Sequence, residues 1–130
     1  MRHLLIMLFL LGSIVGFGQQ DIELKKRYLG SYKGTIPAYE ISTGFEVVEV
    51  SATPIYVHLL KDEITVTIGS ITRTGTYVVM FKADSYYLID ATMEGQLATE
   101  RILVYKRGKH ISRDGMYPQP VTELEKFKGR

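Results

Sequence analysis

Residues 54–92 read PIYVHLLKDEITVTIGSITRTGTYVVMFKADSYYLIDAT. Four apolar-rich runs are separated by KD, GS and KADS. β-Branched and aromatic residues fill the runs, and charged or small residues fill the gaps. This pattern predicts a β-meander, in which each strand pairs with its chain neighbour through a tight turn. Period-two alternation assigns faces. Ile55, Val57 and Leu59 oppose Tyr56, His58 and Leu60, while Ile64, Val66 and Ile68 point inward with Thr65 and Thr67 outward. In residues 71–81, Tyr77, Val79 and Phe81 share one face. The other face passes from Thr72, Thr74 and Thr76 to Val78 and Met80, which predicts a strand running from exposed to covered.

On the C-terminal side, residues 84–92 and 96–107 predict a hairpin across Met93-Glu94-Gly95, and residues 106–113 turn again at Gly108. Asp114-Gly115 and Pro118-Gln119-Pro120 make an irregular crossing. The last element, VTELEKFK (121–128), has a helical capping-box pair in Thr122 and Glu125, but its position suits a closing strand, which is the reading adopted. On the N-terminal side, FEVVEV (45–50) reads as a strand. IPAYEISTG (36–44) reads as a long loop that folds over one end of the sheet, because Pro37 opposes a central strand. YLGSYKGT (28–35) is a further strand. QQDIELKKRYL (19–29) predicts a short helix with Asp21 as N-cap and Gly30 just past its end.

The first eighteen residues stand apart. MRH, then LLIMLFLL, then Gly16-Phe17-Gly18 predict a signal peptide cut before Gln19. The apolar run breaks at Gly12-Ser13, short of the roughly 20 residues a membrane helix needs. The expected organisation is a signal peptide over 1–18 and one domain over 19–130. The protein is then exported, periplasmic or secreted, with no membrane span after signal removal. The chain has no cysteine, so thiol chemistry, Cys-ligated metal and a lipid anchor on Cys are excluded.

Charge is unevenly spread. Residues 21–100 carry seven basic and eleven acidic side chains, and residues 101–130 carry eight basic and three acidic. Nucleophile-elbow, phosphate-loop and paired-histidine zinc motifs are absent. The expectation is a protein that is not an enzyme and uses no cofactor and no metal.

About eight sequential strands leave an edge problem that an up-and-down barrel solves. The fold expected is therefore all-β, an antiparallel meander closing as a barrel behind a short N-terminal helix, with a β-sandwich as the alternative. The order of elements resembles the small lipocalin-like barrels of the calycin group. The matching parts are LGSYKG (29–34), the IPAYEISTG loop, the hairpins and VTELEKFK. Gly30-Ser31-Tyr32 stands where lipocalins have Gly-x-Trp. The resemblance implies a late-strand arginine packed on that aromatic residue, for which Arg101 and Arg107 are the nearest candidates.

Asp90 and Arg101 are charges inside strand-like runs. A two-residue turn at Glu94-Gly95 sets Asp90 opposite Thr99 and diagonal to Arg101. A three-residue turn sets it with Ala98 and Glu100, and moves Arg101 beside Tyr87 and Ile89. The pair is either a surface ion pair or an anchor inside a barrel for the charged end of an apolar ligand, with Tyr32, Tyr39, Tyr56, His58, Tyr77 and Tyr87 around it. His58 reads as a half-buried histidine bonded to a carbonyl or a tyrosine. KRGKHISR supplies a second candidate: Lys106, Arg107, Lys109, His110 and Arg113 as a patch for a polyanion or an acidic partner. It interleaves no aromatic residue, and with export this argues against nucleic acid. Two functions follow: a binding protein for a small, partly apolar, amphiphilic ligand in or at the mouth of the barrel, or an interaction module whose barrel is filled and whose basic hairpin is the contact surface.

Overall fold

In the computed structural model, which describes residues 22–115 and 118–128, alternating side chains produce ten strands. They are β1 (Gly30–Ile36), β2 (Tyr39–Ser42), β3 (Val47–Val50), β4 (Thr53–Leu60), β5 (Glu63–Ile68), β6 (Ile71–Lys82), β7 (Tyr86–Met93), β8 (Glu100–Tyr105), β9 (His110–Asp114) and β10 (Thr122–Phe127). Eight of them close an antiparallel barrel in the order β1-β10-β9-β8-β7-β6-β5-β4, with β1 pairing back onto β4. The chain is all-β, and VTELEKFK is the strand that completes the barrel beside β1. The signal sequence and its cut before Gln19 lie outside the described residues, as does the Asp21 N-cap.

Inward positions from all eight barrel strands meet in one apolar cluster. Tyr32, Ile55, Ile64, Tyr77, Ile89, Ile102, Ile111 and Leu124 contribute one from each wall. Opposite faces carry polar residues such as Lys33, Thr65, Thr74 and Glu123, together with exposed Tyr56 and Leu60.

Four local expectations differ. The loop over 36–44 is half of a hairpin: β2 pairs with β3 and with no barrel strand, so residues 47–50 leave the meander as well. Thr43 closes its turn by accepting the Glu46 N–H at 3.2 Å and donating to the Glu46 carbonyl at 3.1 Å. The N-terminal helix reduces to one 3-10 turn, Lys26–Tyr28, whose N-cap Lys25 makes no side-chain capping bond. Upstream of it Ile22 bridges β6 at Val79, an extended contact incompatible with a helix there. β6 outruns β5, whose pairing stops at Glu63–Thr76, and its register on β7 shifts between Val79 and Phe81. That bulge turns Phe81 outward, and Val78 and Met80 stay exposed rather than covered. The β7–β8 connection is longer than a tight turn. Residues 94–99 leave the ladder, with Leu97 fully exposed.

Candidate anion-binding site at the basic end of the barrel

Topology gathers one set of chain segments at one barrel end: the 3-10 turn before β1, the β6–β7 turn, the β8–β9 turn and the end of β10. Each brings charge. Arg27, Lys106, Arg107, Lys109 and Lys126 line a cavity of about 360 Å³, where Asp84 is the single acid among the described lining residues. Lys126 is fixed by donating from Nζ to the Arg27 carbonyl at 2.7 Å, and its own N–H donates to the Lys109 carbonyl at 2.8 Å. Lys106 Nζ lies 5.1 Å from the Tyr87 ring centroid, and the Arg27 guanidinium carbon 5.1 Å from that of Tyr28. These cation–π contacts hold the cations over aromatic faces without neutralising them.

Tyr28, Tyr32 and Tyr105 supply the remaining wall. Tyr32 donates its hydroxyl to the Tyr28 carbonyl at 2.7 Å, and the Tyr28 ring meets Tyr87 edge-on at 5.3 Å. The Tyr28 hydroxyl is buried with no hydrogen-bond partner among the described residues. Burial, with Tyr28 close by, pushes the Tyr32 phenol up from 10.0 to about 12. Burial raises Tyr77 and Tyr87 too.

A phenol with a raised folded-state pKa stabilises the fold below its unfolded value, and that contribution is lost as pH climbs toward the folded value. Unfolding free energy from urea melts is therefore expected to hold up to about pH 10 and to drop by roughly 2–3 kcal/mol toward pH 12 through Tyr32 alone. Tyr32→Phe should show a shallower alkaline loss. An identical profile in wild type and variant would refute the assignment.

The structure distributes the other expected site residues differently. Asp90 and Arg101 lie directly opposite one another on β7 and β8, in neither of the two registers expected, because the six-residue loop resets the pairing. They face outward, with Arg101 Nε to Asp90 Oδ1 at 3.4 Å and the Arg101 side chain 63% exposed. They form the surface ion pair, with a contribution under about 1 kcal/mol, and no interior anchor. Tyr32, Tyr77 and Tyr87 point inside, and Tyr77 donates to the Leu60 carbonyl at 2.7 Å. Tyr39 sits on the separate hairpin and packs against the core. Tyr56 and His58 are on the outer wall, where His58 Nδ1 meets the Ser31 hydroxyl at 2.6 Å, in place of the carbonyl or tyrosine expected.

Within KRGKHISR, His110 stacks on Tyr105 at 4.3 Å. Arg113 leaves the patch altogether. With Ile111 it faces into the barrel, and it donates from Nε to Glu100 at 2.7 Å and from Nη1 to Gln119 at 2.6 Å. Of the two arginines implied to pack near Tyr32, Arg107 shares its cavity and Arg101 does not.

Sequence reasoning missed Arg27 and Lys126. Lys126 was reachable, since reading VTELEKFK as the closing strand puts its C-terminal end beside the β8–β9 turn. Arg27 was assigned to a helix, which hid its position. No family model, curated protein or solved structure matches this chain. Among the described residues no helix is long and apolar enough to cross a membrane, and no group of three or more His, Cys, Asp or Glu is placed to hold a metal ion. The fold and the site together define a closed eight-stranded barrel with a buried apolar core and a cationic end.

Proposed function

We propose that this protein is an exported, non-catalytic binding module that holds polyanions at the basic end of a filled β-barrel, a relative in architecture of the lipocalin-like barrels. One observation carries the reading: five cations from three chain segments converge on one cavity with a single acid among the described lining residues. Like charges held this close repel, so their common placement favours an anion between them. The apolar cluster that all eight walls contribute supports this reading over an amphiphile deep inside the barrel. A ligand with one charged end and a small apolar body would use the same pocket, on its tyrosine walls.

The test is retention on immobilised heparin. Lys106→Glu/Arg107→Glu/Lys109→Glu is expected to weaken binding by about a hundredfold, taking about 1 kcal/mol for each cation at an anionic surface. Wild-type retention should fall steeply with salt, through released counterions and screening. Retention unchanged in the triple variant would sink the proposal.

A further inference from the structure

A second cavity, of about 460 Å³, lies on the outer wall over β1, β4, β5 and β10. It differs chemically from the basic pocket. Its described lining side chains carry two aromatic rings, four hydroxyls and one imidazole, and no acid, lysine or arginine. Tyr56 is half-exposed and its ring is tilted 59° against Phe127 at 6.0 Å, which leaves aromatic surface open to solvent. Ser31 and His58 meet at 2.6 Å on one side, while Thr65 and Thr67 stand on the other, paired to Thr74 at 3.5 Å and Thr72 at 3.0 Å. Aromatic surface beside a rim of hydroxyl donors and acceptors suits a ligand with an apolar face and a polar edge. A pyranose ring has both: its axial C–H groups make the face and its equatorial hydroxyls the edge.

The two cavities flank one ladder, on its opposite faces. In the β1–β10 register Ser31 faces Phe127, and the next pair is Tyr32 with Lys126. Alternation sends the first pair to the outer cleft and the second to the inner face at the basic pocket, so a polymer lying on the cleft meets the cations over the rim where β1 begins and β10 ends. Lys33 adds a cation at the rim of the cleft, 5.1 Å from the Phe127 ring centroid.

We propose that the polyanion is an acidic polysaccharide, with sugar rings held on Tyr56 and Phe127 and carboxylate or sulfate groups reaching the cationic end; this rests on the polyanion reading above. The aromatic cleft accounts for sugar recognition and the cations for charge.

The experiment titrates the exported protein with polygalacturonate, polyphosphate, a single-stranded DNA oligonucleotide and neutral dextran at fixed ionic strength. Wild type is expected to bind polygalacturonate more tightly than polyphosphate or DNA. Tyr56→Ala should weaken polygalacturonate binding about three- to tenfold, the range of one aromatic contact, and leave polyphosphate binding unchanged. Thr65→Val/Thr67→Val keeps the β-branched shape, and it should weaken polygalacturonate binding in the same selective way with an unchanged melting temperature. Equal binding of polyphosphate or DNA by wild type, or equal losses on both polymers in Tyr56→Ala, would overturn the polysaccharide proposal and leave the polyanion reading standing. A wild type that binds none of the charged polymers would overturn both.

Discussion

Arg113→Met is expected to destabilise the barrel by about 3–5 kcal/mol, the cost of leaving a buried partner charge uncompensated. Arg113 and Glu100 are among the most deeply buried charged side chains of the barrel, at 2% and 5% exposure, joined at 2.7 Å. Gln119 takes a second guanidinium hydrogen at 2.6 Å, which ties the segment before β10 to the barrel end opposite the cationic pocket. Removing the arginine strands the Glu100 carboxylate among apolar neighbours, because Ile102 lies directly across the ladder from Arg113. The paired replacement Glu100→Leu/Arg113→Met removes both charges and should recover most of the loss. Urea denaturation of the two singles and the double makes a double-mutant cycle that isolates the interaction. A single variant within about 1 kcal/mol of wild type would show the pair to be dispensable. The basic end lies across the barrel from this pair, so polyanion binding should persist in any variant that stays folded.

Gly75→Ala is expected to cost about 3 kcal/mol or more, at the upper end of overpacking penalties. Gly75 lies on the inward face of β6, opposite Met93. A methyl group added there would collide with the Thr92 carbonyl oxygen and stand 2.8 Å from the Met93 Cα. Both are backbone atoms, so no rotamer change relieves the contact and the β6–β7 ladder must part. Gly34 makes a milder comparison, with the Glu123 carbonyl at 2.5 Å and the flexible Leu124 side chain at 3.1 Å. Denaturant midpoints for Gly75→Ala and Gly34→Ala should both fall, the first further. A Gly75→Ala protein with the wild-type midpoint would contradict the close approach of the two strands.

Charge reversal at the β8–β9 turn works through different physics. It touches exposed or half-exposed side chains, so it should alter binding by orders of magnitude while leaving the denaturant midpoint almost unmoved. The Arg113 and Gly75 variants should behave in the opposite way. This separation of binding from stability is what the proposed polyanion site predicts.

The sequence by itself determined the fold class, and it did so through local periodicity. Ile55–Val57–Leu59 and Ile64–Val66 alternate too strictly for any element other than strands with one buried face. Short turns between consecutive strands leave few topologies, and VTELEKFK could only protect the edge of β1 by pairing with it. The KRGKHISR turn was likewise legible as a concentration of charge. What periodicity could not supply was register, and register decides faces. Asp90 and Arg101 became an outer-wall pair because the connection between their strands is six residues long, a length no local pattern specified. Arg113 read as one more basic residue of the turn, yet strand alternation carries it inside, where the Glu100 carboxylate and the Gln119 side-chain carbonyl make its burial tolerable. Arg27 and Lys126 lie 99 positions apart and meet only because β10 closes the barrel beside the segment that enters β1. The cationic pocket is thus a product of barrel closure: each cation is visible in the chain, but their sharing of one cavity depends on long-range pairings that bring four separate segments to the same end.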